Sequence, residues 1–231
     1  MYEQRILELI TYDNPKNPLE YAINIVKPYM IEKINASILA CNDCKHYSQT
    51  KSIFYSEHPD ASILFIGESV LQSQQDKECV IPYEDSEELS ILQSIFSNFP
   101  VNQKHFCYMN AVNCLPCKDK RLPPTTEQKN NCRVYLDAII DTVRPHIIIA
   151  LGTVSAKMLL DSYSIQNRGK WHSYKNIRVM PTHSLTSIVE LNKSDQELAN
   201  EYIKDVSNDL RVVFDYIYTN LQLNIVIEEK K

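Results

Sequence analysis

Glycine is the conspicuous shortage. This 231-residue chain has three, Gly67, Gly152 and Gly169, where average usage of roughly 7% predicts about sixteen. Each survivor is therefore expected to mark a backbone position that tolerates little else. Long apolar runs are missing too. None approaches the ~20 residues a helical membrane span needs, so no membrane partner is expected. The opening MYEQRILELITYDNP mixes charge into its apolar residues and has no signal-peptide core, which makes the cytoplasmic compartment the expected location. Nor is there a surplus of positive charge: the net of −5 gives no global pull toward nucleic acid, and any phosphate-binding face must be local.

Locally the charges do separate. Arg168, Lys170, Lys175 and Arg178 follow one another with no acid between them, and Lys118, Lys120, Arg121, Lys129 and Arg133 form a second basic group diluted by Asp119 and Glu127. Asp76–Glu88 instead carries six acids against Lys77. The seven cysteines are an odd number, and in a reducing compartment they are not expected to pair. Metal ligation or buried thiols remain.

Apolar spacing gives the architecture. Glu3–Ile10 and Leu19–Leu39 read as helical, with Pro28 a kink or boundary. Ala61–Ile66, Phe106–Val112, His146–Leu151 and Ile177–Met180 read as four buried strands. Val70–Tyr83 reads as polar and irregular. Asp85 or Ser86 is placed to cap a helix reaching Phe99. Thr125 or Thr126 caps one that turns Cys132, Val134, Leu136, Ile139, Ile140 and Val143 inward. Thr153–Leu160 is helical, Arg168–Lys175 a basic loop, and Ser194–Leu221 one long amphipathic helix. Strands alternating with helices predict an α/β fold with a central parallel sheet. The expected division is a helical extension over 1–36, the domain over 37–220 and a tail over 221–231.

Strand ends carry the candidate chemistry. Gly67-Glu68, Asn110, Gly152 and His183 each follow the C-terminal end of a strand, the edge where open α/β sheets bind ligands. A carboxamide such as Asn110 sets a donor beside an acceptor and complements a pyrimidine edge, though alone it serves as readily to cap a loop. His183 can donate to a developing anion or be an ordinary structural histidine. Glu68 can orient a water or cap its loop, and Tyr83 can stack on a base or pack in the core. Cys41, Cys44, Cys114 and Cys132 supply four thiols. Zinc or a [4Fe–4S] cluster both suit that set chemically, with Cys117 a possible substitute ligand and unrelated buried cysteines the plain alternative.

In order, these pieces resemble the iron–sulfur (family-four type) uracil-DNA glycosylases. The matching series is Cys41/Cys44, Gly67-Glu68, Pro82-Tyr83, Asn110, Cys114-Leu-Pro-Cys117, Arg121-Leu-Pro123, Glu127, Cys132, Pro145 to Leu151-Gly152, Arg168-Gly169 and Thr182-His183. It covers about residues 40–218, and all three glycines fall on it. The resemblance implies a three-layer α/β/α sandwich around a four-stranded parallel sheet. It implies a structural 4Fe-4S cluster on Cys41, Cys44, Cys114 and Cys132. It also implies hydrolysis of the N-glycosidic bond of uracil in DNA, single or double stranded, by a monomer that flips the base out.

Carried over by position, Asn110 pairs with uracil, Tyr83 stacks on it, and His183 stabilises the departing anion. Glu68 with Gly67 and Ser69 holds the attacking water, while Arg168, Lys170, Lys120 and Arg121 touch phosphates. The sequence departs from the family where Ser69-Val70-Leu71 stands for a Pro-Gly turn and Gln74-Gln75 for an acidic pair, with Asp76 the nearest replacement. Tyr83 stands for Phe, Ser184 for Pro and Cys117 for a second Pro. The altered turn motivates the alternative of a catalytically silent member that binds nucleic acid or a protein.

Overall fold

A computed structural model describes residues 18–44, 49–58, 61–117 and 122–221. The helix expected at Glu3–Ile10 and the tail after residue 221 lie outside these, as do Lys118, Asp119, Lys120 and Arg121.

Helix α1 (Pro18–Ala40) runs through Pro28 without ending. Then come β1 (Lys51–Ser52), β2 (Tyr55–Ser56), β3 (Ile63–Gly67), β4 (Cys79–Val80), α2 (Glu87–Phe96), β5 (Phe106–Asn110), α3 (Thr126–Val143), β6 (Ile147–Leu151), α4 (Thr153–Leu159), β7 (His172–Tyr174), β8 (Ile177–Thr182), α5 (Leu185–Ser194) and α6 (Gln196–Tyr216). The main sheet has the order β2-β5-β3-β6-β8-β7. Its four central strands are parallel, as the apolar runs predict.

Alternation along those strands assigns the two faces. Leu64, Ile66, Cys107, Met109, Ile148 and Ala150 belong to the core under α3 and α4, with Ile31 and Ile34 of α1 against it. Ile63, Phe65, Phe106, Ile147, Ile149 and Met180 belong to the core under α2, α5 and α6. Both faces are covered, which is why the strands read as continuous apolar runs rather than alternating ones. The result is a three-layer α/β/α sandwich.

Four expectations need correction. The sheet gains an antiparallel strand at each edge, β2 against β5 and β7 against β8, so Arg168–Lys175 is not simply a loop. The β7–β8 turn places Lys175 and Asn176 at φ 48 and 65, the left-handed pair of a type I′ hairpin, but without the glycine that announces one. The long C-terminal helix is two, because Asp195 takes an extended conformation and its carboxylate accepts from the Leu198 N–H to start α6. Val134 points outward, 61% exposed, while Cys132, Leu136, Ile139, Ile140 and Val143 point inward.

Candidate active site

Gly67 and Asn110 end adjacent strands and pair in register. Counting alternately from Phe65 and Phe106, both face the α2/α5/α6 side, where Tyr83 is also packed. Space there is tight. A Cβ on Gly67 would lie 2.3 Å from the Tyr83 hydroxyl and 2.5 Å from Asn110 Oδ1, so this position admits no side chain. Asn110 is 2% exposed. Its Nδ2 donates to Ser52 Oγ at 3.0 Å, and its Oδ1 accepts no hydrogen bond among the described residues. Nearly all buried polar atoms are paired, so this orphan acceptor draws attention to Asn110, as two unpaired atoms do to the buried Asn113 on the segment that follows. Of the two, Asn110 stands at the strand end beside Gly67 and Tyr83.

Tyr83 reaches that place from a turn in which its own φ is 66 and that of Asp85 is 54. Left-handed backbone is rare for a bulky residue and needs support from its surroundings. Gln74 supplies it. Its buried carboxamide donates to the Glu84 and Ile81 carbonyls at 3.1 and 3.4 Å and accepts from the Leu71 N–H at 3.3 Å. The loop after Glu68, where the sequence departs from the family, thus forms a short 3-10 turn over Gln72–Gln74 that clamps the Tyr83 turn. Burial pushes the Tyr83 hydroxyl pKa well above its ordinary value, with Glu88 and Glu68 adding to the rise; this group stays a neutral phenol.

Beyond Gly67 opens a cleft of about 450 Å³. Glu68 and Ser69 line it, with Gln72, Pro116, Cys117 and Val189 among the opposing residues. Acids prevail in its lining: Asp85, Glu87, Glu190 and the buried Glu88 against Lys193, whose ammonium reaches Glu87 at 3.8 Å. Asp76 is exposed and does not line this cleft. The structure therefore gathers Gly67, Glu68, Ser69, Tyr83 and Asn110 and leaves Asp76 outside.

His183, on the segment after β8, is engaged from behind. Its Nε2 lies 3.1 Å from Asp205 Oδ2 and its ring stacks on Tyr202 with centroids 3.8 Å apart. Burial lowers its pKa, and the Asp205 carboxylate opposes that shift. Arg168, expected to meet DNA phosphates, turns inward instead. It makes two bonds to Asp209, at 2.9 and 2.7 Å, and one to Asp205 at 3.0 Å, while Thr182 Oγ1 donates to Asp209 at 2.6 Å. A guanidinium held by two carboxylates through both Nη atoms is oriented toward them, so Arg168 braces Asp205, the partner of His183. Lys170 is exposed; Lys120 and Arg121 lie outside the described residues.

The four cysteines of the expected cluster approach one another. Cys41, Cys44 and Cys114 each act electrostatically on Cys132, and Cys41 and Cys44 act on Cys114. Burial pushes the Cys132 thiol up to about 12, against the lowering effect of the Asn113 backbone N–H. Three sulfurs have donors at hand: Cys132 that N–H, Cys114 the Lys51 ammonium at 3.1 Å, and Cys44 the Asn131 amide at 3.5 Å. Lys51 itself is 3% exposed. No three His, Cys, Asp or Glu side chains converge on a single-ion site among the described residues.

Against known proteins, a family model described as the uracil DNA glycosylase superfamily matches residues 54–211. The chain belongs to the uracil-DNA glycosylase superfamily. The matched span of this superfamily member runs from just before β2 to within α6 and includes Gly67, Tyr83, Asn110 and His183. Its relatives include a Type-4 uracil-DNA glycosylase of Sulfurisphaera tokodaii, 27% identical over 164 residues, 66% of this chain and 73% of the relative. Another, from Saccharolobus solfataricus, is 24% identical over 66% of this chain and 74% of its own length. One from Thermotoga maritima is 21% identical over 59% and 69%.

Sequence reasoning missed Ser52, Gln74, Asp205 and Lys51. Ser52, Asp205 and Lys51 each contact a candidate residue through folding alone, from 22 to 63 positions away in the chain, and Gln74 bonds Ile81 and Glu84 on either side of Tyr83; no local pattern signals such contacts.

Proposed function

We propose that this chain is a DNA-repair glycosylase that hydrolyses the N-glycosidic bond of uracil in DNA. The observation that carries the reading is the buried, unpaired Asn110 Oδ1 beside Gly67 and Tyr83, in a chain of this superfamily and with relatives of this name. On this reading uracil leaves the stack and presents its edge to Asn110, with the Tyr83 ring against its face. Glu68 and Ser69 in the adjoining cleft hold the water that attacks the sugar. His183, its charged form disfavoured by burial, turns the N–H that otherwise faces Asp205 toward the oxygen of the departing uracil and donates to it, an interaction that strengthens as charge develops. Lys170, Lys120 and Arg121 supply phosphate contacts. The expected form is a monomer in the cytoplasm, acting on uracil-containing DNA.

Cys41, Cys44, Cys114 and Cys132 hold a [4Fe–4S] cluster in this proposal. A single zinc ion draws four sulfurs to about 2.3 Å from one point, whereas a cluster has a body of its own between them. Thiols that influence one another without converging on one point suit the second, and so do donors aimed at three of the sulfurs. The cluster's contribution is structural: bound, it ties the loop after Asn110 to α1 and α3.

The acidic cleft lining supports a second reading, a member that binds without cutting. Uracil release from a labelled oligonucleotide by the purified protein separates the two. Release that Asn110→Ala and His183→Ala each lower at least about a hundredfold is expected; salt-dependent DNA binding with no release at high enzyme and intact cluster would leave only the second.

A further inference from the structure

We propose that Ser52 is a specificity-positioning residue, setting which hydrogen-bonding edge Asn110 presents to a base; this rests on the reading of Asn110 as the base reader. The evidence is the geometry around one carboxamide. Asn110 Nδ2 donates to Ser52 Oγ at 3.0 Å, which leaves Oδ1 on the side of Gly67 and Tyr83, buried and accepting no hydrogen bond among the described residues.

Ser52 holds this position firmly. It is wholly buried, so water does not compete for its hydroxyl. Its backbone is pinned from both sides: Lys51 N–H donates to the Glu78 carbonyl at 3.0 Å, Ser52 N–H to the Asn113 carbonyl at 2.9 Å, and Ile53 N–H to the Val80 carbonyl at 3.1 Å. The Asn113 carbonyl comes from the segment that follows Asn110 itself. Strand β1 and that segment therefore move as one piece, and the hydroxyl keeps its distance from the carboxamide.

The consequence is chemical. Uracil offers an N3–H donor flanked by carbonyl acceptors; cytosine offers a lone pair at N3 beside an amino donor. A carboxamide fixed with Oδ1 forward accepts from uracil N3–H and gives its second Nδ2 hydrogen to the neighbouring carbonyl. Against cytosine the same two atoms meet like with like, and unpaired buried groups are what make such sites selective. With the Ser52 oxygen accepting from Nδ2 the carboxamide is held Oδ1 forward; without it nothing favours that orientation over the turned amide, which fits cytosine.

The test is equilibrium binding of two single-stranded oligonucleotides, one with a non-cleavable 2′-fluoro-deoxyuridine and one with deoxycytidine at the same place, to the full chain. It is read by fluorescence anisotropy alongside uracil release. The wild-type chain is expected to favour the uracil strand. Ser52→Ala should lose about tenfold of that preference and a similar factor in kcat/KM, with visible absorbance unchanged, and Ser52→Thr, which keeps the hydroxyl, should restore both. Equal preference in Ser52→Ala and wild type overturns the inference. So does an equal loss in Ser52→Thr and Ser52→Ala, which would make the serine merely a packing residue, and so does a wild-type chain with no preference. A wild-type chain that prefers the uracil strand but releases no base defeats the glycosylase reading and leaves this inference standing.

Discussion

Burial sets the direction of the His183 pKa shift and Asp205, from helix α6, opposes it. Its carboxylate lies 3.1 Å from Nε2 and raises the imidazole pKa, while burial and, to a lesser degree, Arg168 lower it, and Asp209 adds a small rise. The net shift is downward from the ordinary 6.5, so at neutral pH the ring is uncharged and carries one N–H, the one at Nε2 that faces Asp205. Replacing Asp205 by Asn removes one of the two groups that favour the charged form and leaves Arg168 in place. The His183 pKa should then fall further, as read by NMR titration of its ring protons; a rise would show that the carboxylate is not acting on this imidazole. The sign for stability follows. The unfolded chain takes up this proton near 6.5 and the folded chain only at lower pH, so His183 supports folding above that value and withdraws support as pH falls through its folded pKa. Asp205→Asn widens that window toward acid.

Among the elements, the short turn at Gln72–Gln74 matters most, because it directly follows Ser69-Val70-Leu71, where the family's Pro-Gly turn is absent. Gln74 satisfies two carbonyls of the left-handed Tyr83 segment at once. Gln74→Leu leaves both without that donor in a buried setting and should cost about 1–3 kcal/mol of stability in urea unfolding. Gln74→Glu, which restores an acid, should cost at least as much, since a carboxylate would face those same carbonyls. A Gln74→Leu chain as stable as wild type would mean that the turn holds itself. None of this was legible beforehand, as Gln74 sits in a polar stretch with no periodicity. The four parallel strands were legible because burial on both faces leaves continuous apolar runs, and the Thr125 and Ser86 caps because a side-chain oxygen ahead of an apolar pattern has a local meaning. The edge strands were not. Tyr55–Ser56 and His172–Tyr174 are too short and mixed to show a period, and the Lys175-Asn176 turn carries no glycine.

At the scale of the whole molecule, the proposed cluster joins three distant parts: the end of α1 at Cys41 and Cys44, the loop after β5 at Cys114, and α3 at Cys132. Cys44→Ala and Cys132→Ala should each abolish a brown absorption at about 400 nm and lower the melting temperature. Cys117→Ala should keep the colour, because Cys117 lines the cleft. A colourless wild-type protein containing zinc would refute the assignment. Sequence order alone located this set only through the resemblance, since the spacing from Cys114 to Cys132 fits no standard ribbon. The inward turn of Arg168 was invisible for the opposite reason: its basic neighbours suggested a phosphate face, while its partners Asp205 and Asp209 lie about forty residues on.

The two antiparallel edge strands carry a consequence for life in a crowded solution. A bare parallel sheet ends in rows of unpaired backbone groups that invite other chains to add on. Here one flank closes with the two residues of β2 and the other with the three of β7, and beside β7 stand Arg178 and Lys175, the latter already paired with Asp137 and Asp141. Edges this short and charged offer too little backbone to template a neighbour. Strand addition at these two edges is thereby disfavoured, while the sheet between them stays apolar.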